Sequence, residues 1–146
     1  MSQDRYFEEV ELEEHWKTEG RTITEADVVN YAGVSGDFHS YHVDAKFAQE
    51  SDFGGRIAHG LLVLSIAAAL ESADNERAFM YGFESIRFVN PTMLGDTIHV
   101  EVMVTDKSIK SDESGLVTKS FEVKNQNDET QLVCDKLELF ERASAE

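Results

Sequence analysis

The chain has 146 residues, 41% of them hydrophobic, which suits one globular domain with its own core and excludes a chain disordered throughout. Its 13 Lys and Arg stand against 29 Asp and Glu, a formal net charge of −16. So acidic a chain has little from which to build the basic face of a duplex nucleic-acid binder, and an anionic membrane surface would repel it; neither partner is expected.

The acidic stretch Met1 to Glu14 carries no apolar signal core and reads as a peripheral segment of one domain spanning 1–146. His15 to Ile23 holds a first strand or its approach. Thr24 followed by Asp27 is an N-cap signal that predicts a helix from about Glu25 to Val34, with Val28, Tyr31 and Ala32 on one face and Gly36 as its C-cap. Asp37 to His42 reads as a polar loop. Asp44 then caps a short helix to Glu50, and Phe53 to Arg56 is a turn.

From Ala58 to about Ala73 the pattern is helical and apolar nearly all round, which predicts a helix wrapped by other elements. At under 20 residues it is too short to span a bilayer. After Asn75 the period changes to two. Strands are expected over Ala78 to Phe83, Ser85 to Val89, about Ile98 to Val104, Leu116 to Val123 and Gln131 to Phe140, with turns at 90–96, 110–115 and 124–129. The fold class that follows is α+β, an antiparallel β-sheet wrapped around a central buried α-helix. Its open sheet edges invite a homodimer or a higher homo-oligomer. The single cysteine, Cys134, cannot form an internal disulfide and reads as an inert thiol, which places the chain in the cytoplasm by default. The acidity fits either a well-solvated surface or a halophile's surface, and lysine is about as common as arginine.

Chemistry concentrates in two short stretches. Asp37 and His42 lie five apart after a capped helix, a carboxylate and an imidazole able to share one water. Gly60 opens the apolar helix, where free N–H groups and the positive dipole end favour a developing oxyanion. Taken singly, Asp37 reads as a turn residue, His42 as a structural histidine and Gly60 as a packing glycine. Asp37, His39 and His42 could also ligate zinc or iron, but a triad on so short a loop is strained, and no metal is expected. His15 and His99 read as surface residues, and Glu71 and Glu84 show no partner signal. Arg56, between the glycine turn and Gly60, is the candidate contact for a phosphate, with Lys46 and Arg87 behind it.

At these residues the sequence resembles the MaoC-like dehydratases, the (R)-specific enoyl-CoA hydratases of the hot-dog fold. The family's G-D-x-N-P-x-H loop is matched by Gly36, Asp37 and His42, with His39 and Ser40 where asparagine and proline usually stand. Its [IV]-[AV]-H-G-[ML] helix start is matched by Ile57-Ala58-His59-Gly60-Leu61. Arg87 to Pro91 and Gly95-Asp96 resemble the family's strand and following turn, so the likeness runs from about Thr22 to Phe140.

The resemblance implies an acyl-CoA thioester substrate. Asp37 and His42, in unassigned acid and base roles, would hold the water that adds to C3 of a trans-2-enoyl thioester and deliver the proton to C2. The Gly60 N–H would bind the carbonyl as it takes on enolate charge, a contribution of roughly 3 kcal/mol. Phe38, Arg56 and His59 are the candidate substrate contacts, with His59 also ordering the loop by hydrogen bonding. No cofactor is implied, since CoA is part of the substrate. A hot-dog thioesterase and a non-catalytic acyl-thioester-binding module are the alternatives.

Overall fold

In a computed structural model that describes residues 4–72 and 75–144, the second half of the chain is a set of long antiparallel strands and the first half is helical. Residues 1–3 of the acidic segment and Ala73, at the expected end of the apolar helix, lie outside the described residues.

The first helix, α1 (Glu25–Ser35), begins where sequence places it. Thr24 accepts the Asp27 N–H and Asp27 accepts the Thr24 N–H, a reciprocal capping box. Desolvation works against the charged form of Asp27, but the Thr24 bonds and Arg21 outweigh it and hold its pKa below the usual carboxylate value. Gly36 closes the helix at a φ of 79°, in the left-handed region that favours glycine. Two short helices follow, α2 (Ser40–Val43) and α3 (Ala45–Glu50), the latter capped by Asp44. The expected loop 37–42 is thus partly helical, since its last three residues form most of α2. Then comes α4 (Gly60–Glu71), with Leu62, Val63, Leu64, Ile66, Ala67 and Ala68 buried.

The strands are β1 (His15–Lys17), β2 (Arg21–Thr22), β3 (Ala78–Phe88), β4 (Thr97–Ile109), β5 (Ser114–Lys124) and β6 (Thr130–Glu141). They form one sheet in the order β1-β4-β5-β6-β3, with β2 also on β4, and every pairing is antiparallel. The two stretches expected between Ala78 and Val89 are one strand. The break between them is a pairing irregularity from Glu84 to Arg87, where Ser85 has a φ of 54°. The alternation on β4 turns Ile98, Val100 and Val102 inward into the core cluster that holds α4, and Val104 inward into a second cluster.

Four expectations need correction. The segment before β1 is not peripheral within its described part. Phe7 and Val10 are buried with Val104, Val117 and Phe140 in a second core cluster, because two apolar side chains three apart dock although acidic neighbours surround them. The apolar helix is not covered all round: Leu61, Ser65 and Ala69, one stripe of α4, stay exposed because the sheet covers the helix from one side. Glu71 does have partners. It is 4% exposed, and Lys119 and Lys136 donate to its two oxygens at 2.6 and 2.5 Å. Glu138 completes the group, 2.7 Å from Lys119. His99 is half-buried instead of a surface residue, with its Nε2 enclosed.

Strand order explains how the site is built. Because β3 lies at one edge and β4 three places away, the connection between them must cross the end of the sheet. That connection passes beneath the start of α4 and bonds to it: the Ala58 N–H donates to the Thr92 carbonyl at 2.7 Å, and Ile57 bridges Met93.

Candidate active site

Two chain segments meet at the start of α4. The first is the turn after α1. The Asp37 Oδ1 accepts the His39 N–H at 3.2 Å, and the His39 Nδ1 accepts the Tyr41 N–H at 3.2 Å, which makes His39 the N-cap of α2. An imidazole nitrogen therefore fills the capping role at a position where the resemblance expects asparagine. The second segment is 57–60. The Ile57 N–H donates to the Tyr41 carbonyl at 3.1 Å, and the Ile57 carbonyl accepts from the His42 Nδ1 at 2.7 Å.

That last bond fixes the tautomer. A carbonyl can only accept, so Nδ1 carries the proton and the Nε2 lone pair is left bare. The His42 Nε2 lies 4.0 Å from the Asp37 Oδ2. Two acceptors at this separation, each about 2.8 Å from one water oxygen, subtend about 90° there, close to the angle between the two O–H bonds of a water. The geometry suits a single water donating to both. Burial is the main influence on His42 and lowers its pKa. His59 and His39 act in the same direction, while the Ile57 carbonyl and Asp37 oppose them. The net effect is an imidazole held neutral, ready to accept a proton.

Gly60 is the first residue of α4, so its N–H has no acceptor within the helix. Its α-carbon faces the Phe88 ring: a Cβ there would come within 2.5 Å of Phe88 Cε1, so even alanine collides with the ring. Beside it opens a mainly apolar cavity of about 330 Å³, walled by Ile57, Gly60, Val63, Phe88, Pro91 and Thr92. Ile57 and Gly60 link this cavity to the Asp37–His42 pair.

The structure therefore brings Asp37, His42, His59 and Gly60 together. Of the other candidates, Arg56 is held by Glu25 at 2.6 Å, so a phosphate would have to displace a carboxylate to reach it. Phe38 is 58% exposed and is not part of the cavity wall. Lys46 and Arg87 are exposed. His59 is buried behind His42 instead of facing substrate: its Nε2–H donates to the Asp37 carbonyl at 2.8 Å and its ring stacks on His42 with centroids 3.7 Å apart. His39 is drawn off to its cap. Asp37, His42 and His59 offer ligand atoms within 4.8 Å of one another, but the two imidazoles lie face to face at 26°, so their in-plane lone pairs run side by side instead of converging on one ion. Sequence reasoning missed Phe88 and the Ile57 carbonyl. The F-V-N-P run ahead of the crossing connection was a signal for the former, and a main-chain acceptor leaves none.

Comparison with known proteins identifies the family. Residues 8–127 match the family model described as a MaoC like domain. The chain is 41% identical over 112 residues to Protein MaoC of Klebsiella aerogenes, a match covering 75% of this chain and 33% of that protein. It is 36% identical over 101 residues to the (R)-specific enoyl-CoA hydratase of Rhodospirillum rubrum, covering 68% of this chain and 69% of that one. Among solved structures, the monoamine oxidase regulatory protein of an Archaeoglobus species superposes with a TM-score of 0.89 at 34% identity, over 96% of each chain. R-hydratase PhaJ1 of Pseudomonas aeruginosa superposes at 0.79 with 27% identity, over 98% of this chain and 89% of that one. A Mycobacterium tuberculosis protein described as a double hotdog fold also superposes, at 0.86 and 16% identity, which speaks to fold alone. With its antiparallel hot-dog sheet packed on α4 and its family model spanning residues 8–127, this chain belongs to the MaoC-like dehydratase family.

Proposed function

We propose that the chain is a hydro-lyase that adds water to trans-2-enoyl-CoA to give (R)-3-hydroxyacyl-CoA, and catalyses the reverse. The observation that carries this reading is the bare His42 Nε2 facing the Asp37 carboxylate at 4.0 Å, with the free N–H of Gly60 following directly on His59, whose ring stacks on His42. The hydratase name of the Rhodospirillum relative and the name 3-hydroxybutyryl-CoA dehydratase of a Methylorubrum extorquens relative support the substrate class and the stereochemistry.

In the forward direction the water oxygen attacks C3 and loses a proton to the Asp37–His42 pair. The C2=C3 electrons move toward the thioester carbonyl, whose oxygen takes on enolate charge beside the Gly60 N–H. The enolate then recovers a proton at C2 from the pair, so H and OH are added and the pair ends as it began. The cavity beside Gly60 takes the acyl chain. No metal or redox group enters these steps; CoA comes with the substrate. A cytoplasmic site of action, where thiols stay reduced, fits the lone buried Cys134.

The test is a spectrophotometric assay on crotonyl-CoA. Loss of the enoyl absorbance without thiol release supports the reading; release of free thiol indicates a thioesterase, and neither signal a binding module. Asp37→Asn and His42→Ala should each lower kcat by more than about 10²-fold with unchanged circular dichroism, the low end of general acid–base contributions. Near-native turnover in either variant would remove the pair from the mechanism.

A further inference from the structure

His59 is 3% exposed, so it stands behind the reacting groups instead of touching substrate. It nevertheless meets every part of the site. Its Nε2–H donates to the Asp37 main-chain carbonyl at 2.8 Å, its ring covers one face of His42, and it precedes Gly60 in the chain. Tyr31 of α1 packs against it with ring centroids 4.7 Å apart. With Nε2 donating, Nδ1 is a bare acceptor, and that atom is buried without a hydrogen-bond partner among the described residues.

A residue present only to fill space would not be an imidazole. A phenyl ring fills a similar volume without enclosing an unpaired nitrogen, and an unpaired buried polar atom costs about 1–3 kcal/mol. The cost is offset by what the other edge and the face of the ring do. We propose that His59 is a positioning residue that locks the Asp37 turn, the His42 ring and the Gly60 N–H into one rigid unit for the hydration reaction. This inference rests on the hydratase reading above for its kinetic consequence.

The groups that face His42 are Asp37 and His39 from the turn after α1, and His59 with the Ile57 carbonyl from the segment before α4. Removing the His59 ring opens one face of His42 to water and takes away a group that disfavours its charged form, so His42 should titrate at a higher pH. The backbone bond and the ring face can be separated. His59→Gln keeps an N–H donor for the Asp37 carbonyl and loses the ring; His59→Phe keeps the ring and loses the donor.

Both variants are compared with the native protein at matched folded fraction by circular dichroism. Two readouts are taken: kcat and KM for crotonyl-CoA across pH, and the titration of the His42 ring by NMR, which needs no turnover. Each variant should lower kcat about 10- to 100-fold with KM little changed, the scale of a small misplacement of reacting groups. The His42 titration and the acid limb of kcat should move up in His59→Gln and stay near the native position in His59→Phe. Native kcat in both variants, or a His42 titration unmoved in His59→Gln, overturns the proposal. If the native protein hydrates no enoyl thioester, the hydratase reading fails, and the NMR titration still decides whether His59 sets the state of His42.

Discussion

An imidazole with its Nδ1–H committed to a carbonyl is useful as a base only while Nε2 stays bare. At His42 burial comes first in lowering the pKa, and the opposing pull of the Ile57 carbonyl and Asp37 does not restore it. The sign follows directly: a lowered pKa keeps His42 neutral further into acid, so activity that needs the free base is complete at neutral pH. It should fall only below the ordinary imidazole value of about 6.5. The acid limb of kcat/KM for crotonyl-CoA, measured with the folded fraction monitored, is therefore expected below that value; a limb above it would contradict the buried, neutral His42. The identities at this scale were legible in the sequence, because Asp37, His42 and Gly60 sit in two motifs at a fixed separation. What orients them was not. The Ile57 carbonyl is a backbone atom present at any residue, and the stacking of His59 on His42 depends on two segments meeting in space.

Between the two core clusters lies the ion group formed by Glu71 at the end of α4, Lys119 on β5, and Lys136 and Glu138 on β6. Burial acts against the Lys119 charge, but the Glu71 and Glu138 carboxylates outweigh it and raise its pKa. The group ties the far end of the central helix to the sheet, while Gly60 at the near end holds the site. Glu71→Gln leaves two buried ammonium groups with one carboxylate. It should destabilise the fold by about 3–5 kcal/mol, read as a lowered urea midpoint, and adding Lys136→Met should recover part of that loss. An unchanged midpoint in the single variant would show that the group contributes nothing. This arrangement left a trace in the sequence: Lys119 occupies an inward position between Val117 and Phe121, and Lys136 one between Cys134 and Glu138, breaking the apolar alternation. The strands themselves were legible from that alternation, and α1 from its cap. The docking of Phe7 and Val10 was not, because acidic neighbours mask so short an apolar pattern.

At the scale of the whole molecule, β3 is an edge strand that pairs only with β6 among the described residues. Its edge is strongly apolar: Phe79, Met80, Tyr81, Phe88 and the adjoining Val89 are each at least half exposed. The open α4 stripe of Leu61 and Ala69 adds to the unsatisfied surface. An exposed apolar edge of this length favours pairing with another copy of itself. Light scattering at micromolar concentration should give twice the protomer mass, with Phe79→Lys or Tyr81→Lys shifting the equilibrium toward single chains. A native protein that runs as a single active chain would place these residues in some other contact.

Cys134 faces inward from β6, next to Lys136, and burial is the leading cause that pushes its thiol up to about 11. At pH 8 only about one such thiol in a thousand is ionised, against about a quarter for a free cysteine. Enclosure and protonation both silence it, and both are lifted only when β5, β6 and α4 part. The side chain is thus a clock for the breathing of the domain. The rate at which a thiol reagent modifies Cys134 should be far below that of free cysteine, insensitive to reagent excess once opening limits it, and faster in Glu71→Gln, where the helix has lost its anchor. Immediate labelling of the native protein would mean that the sheet opens in the dead time of mixing.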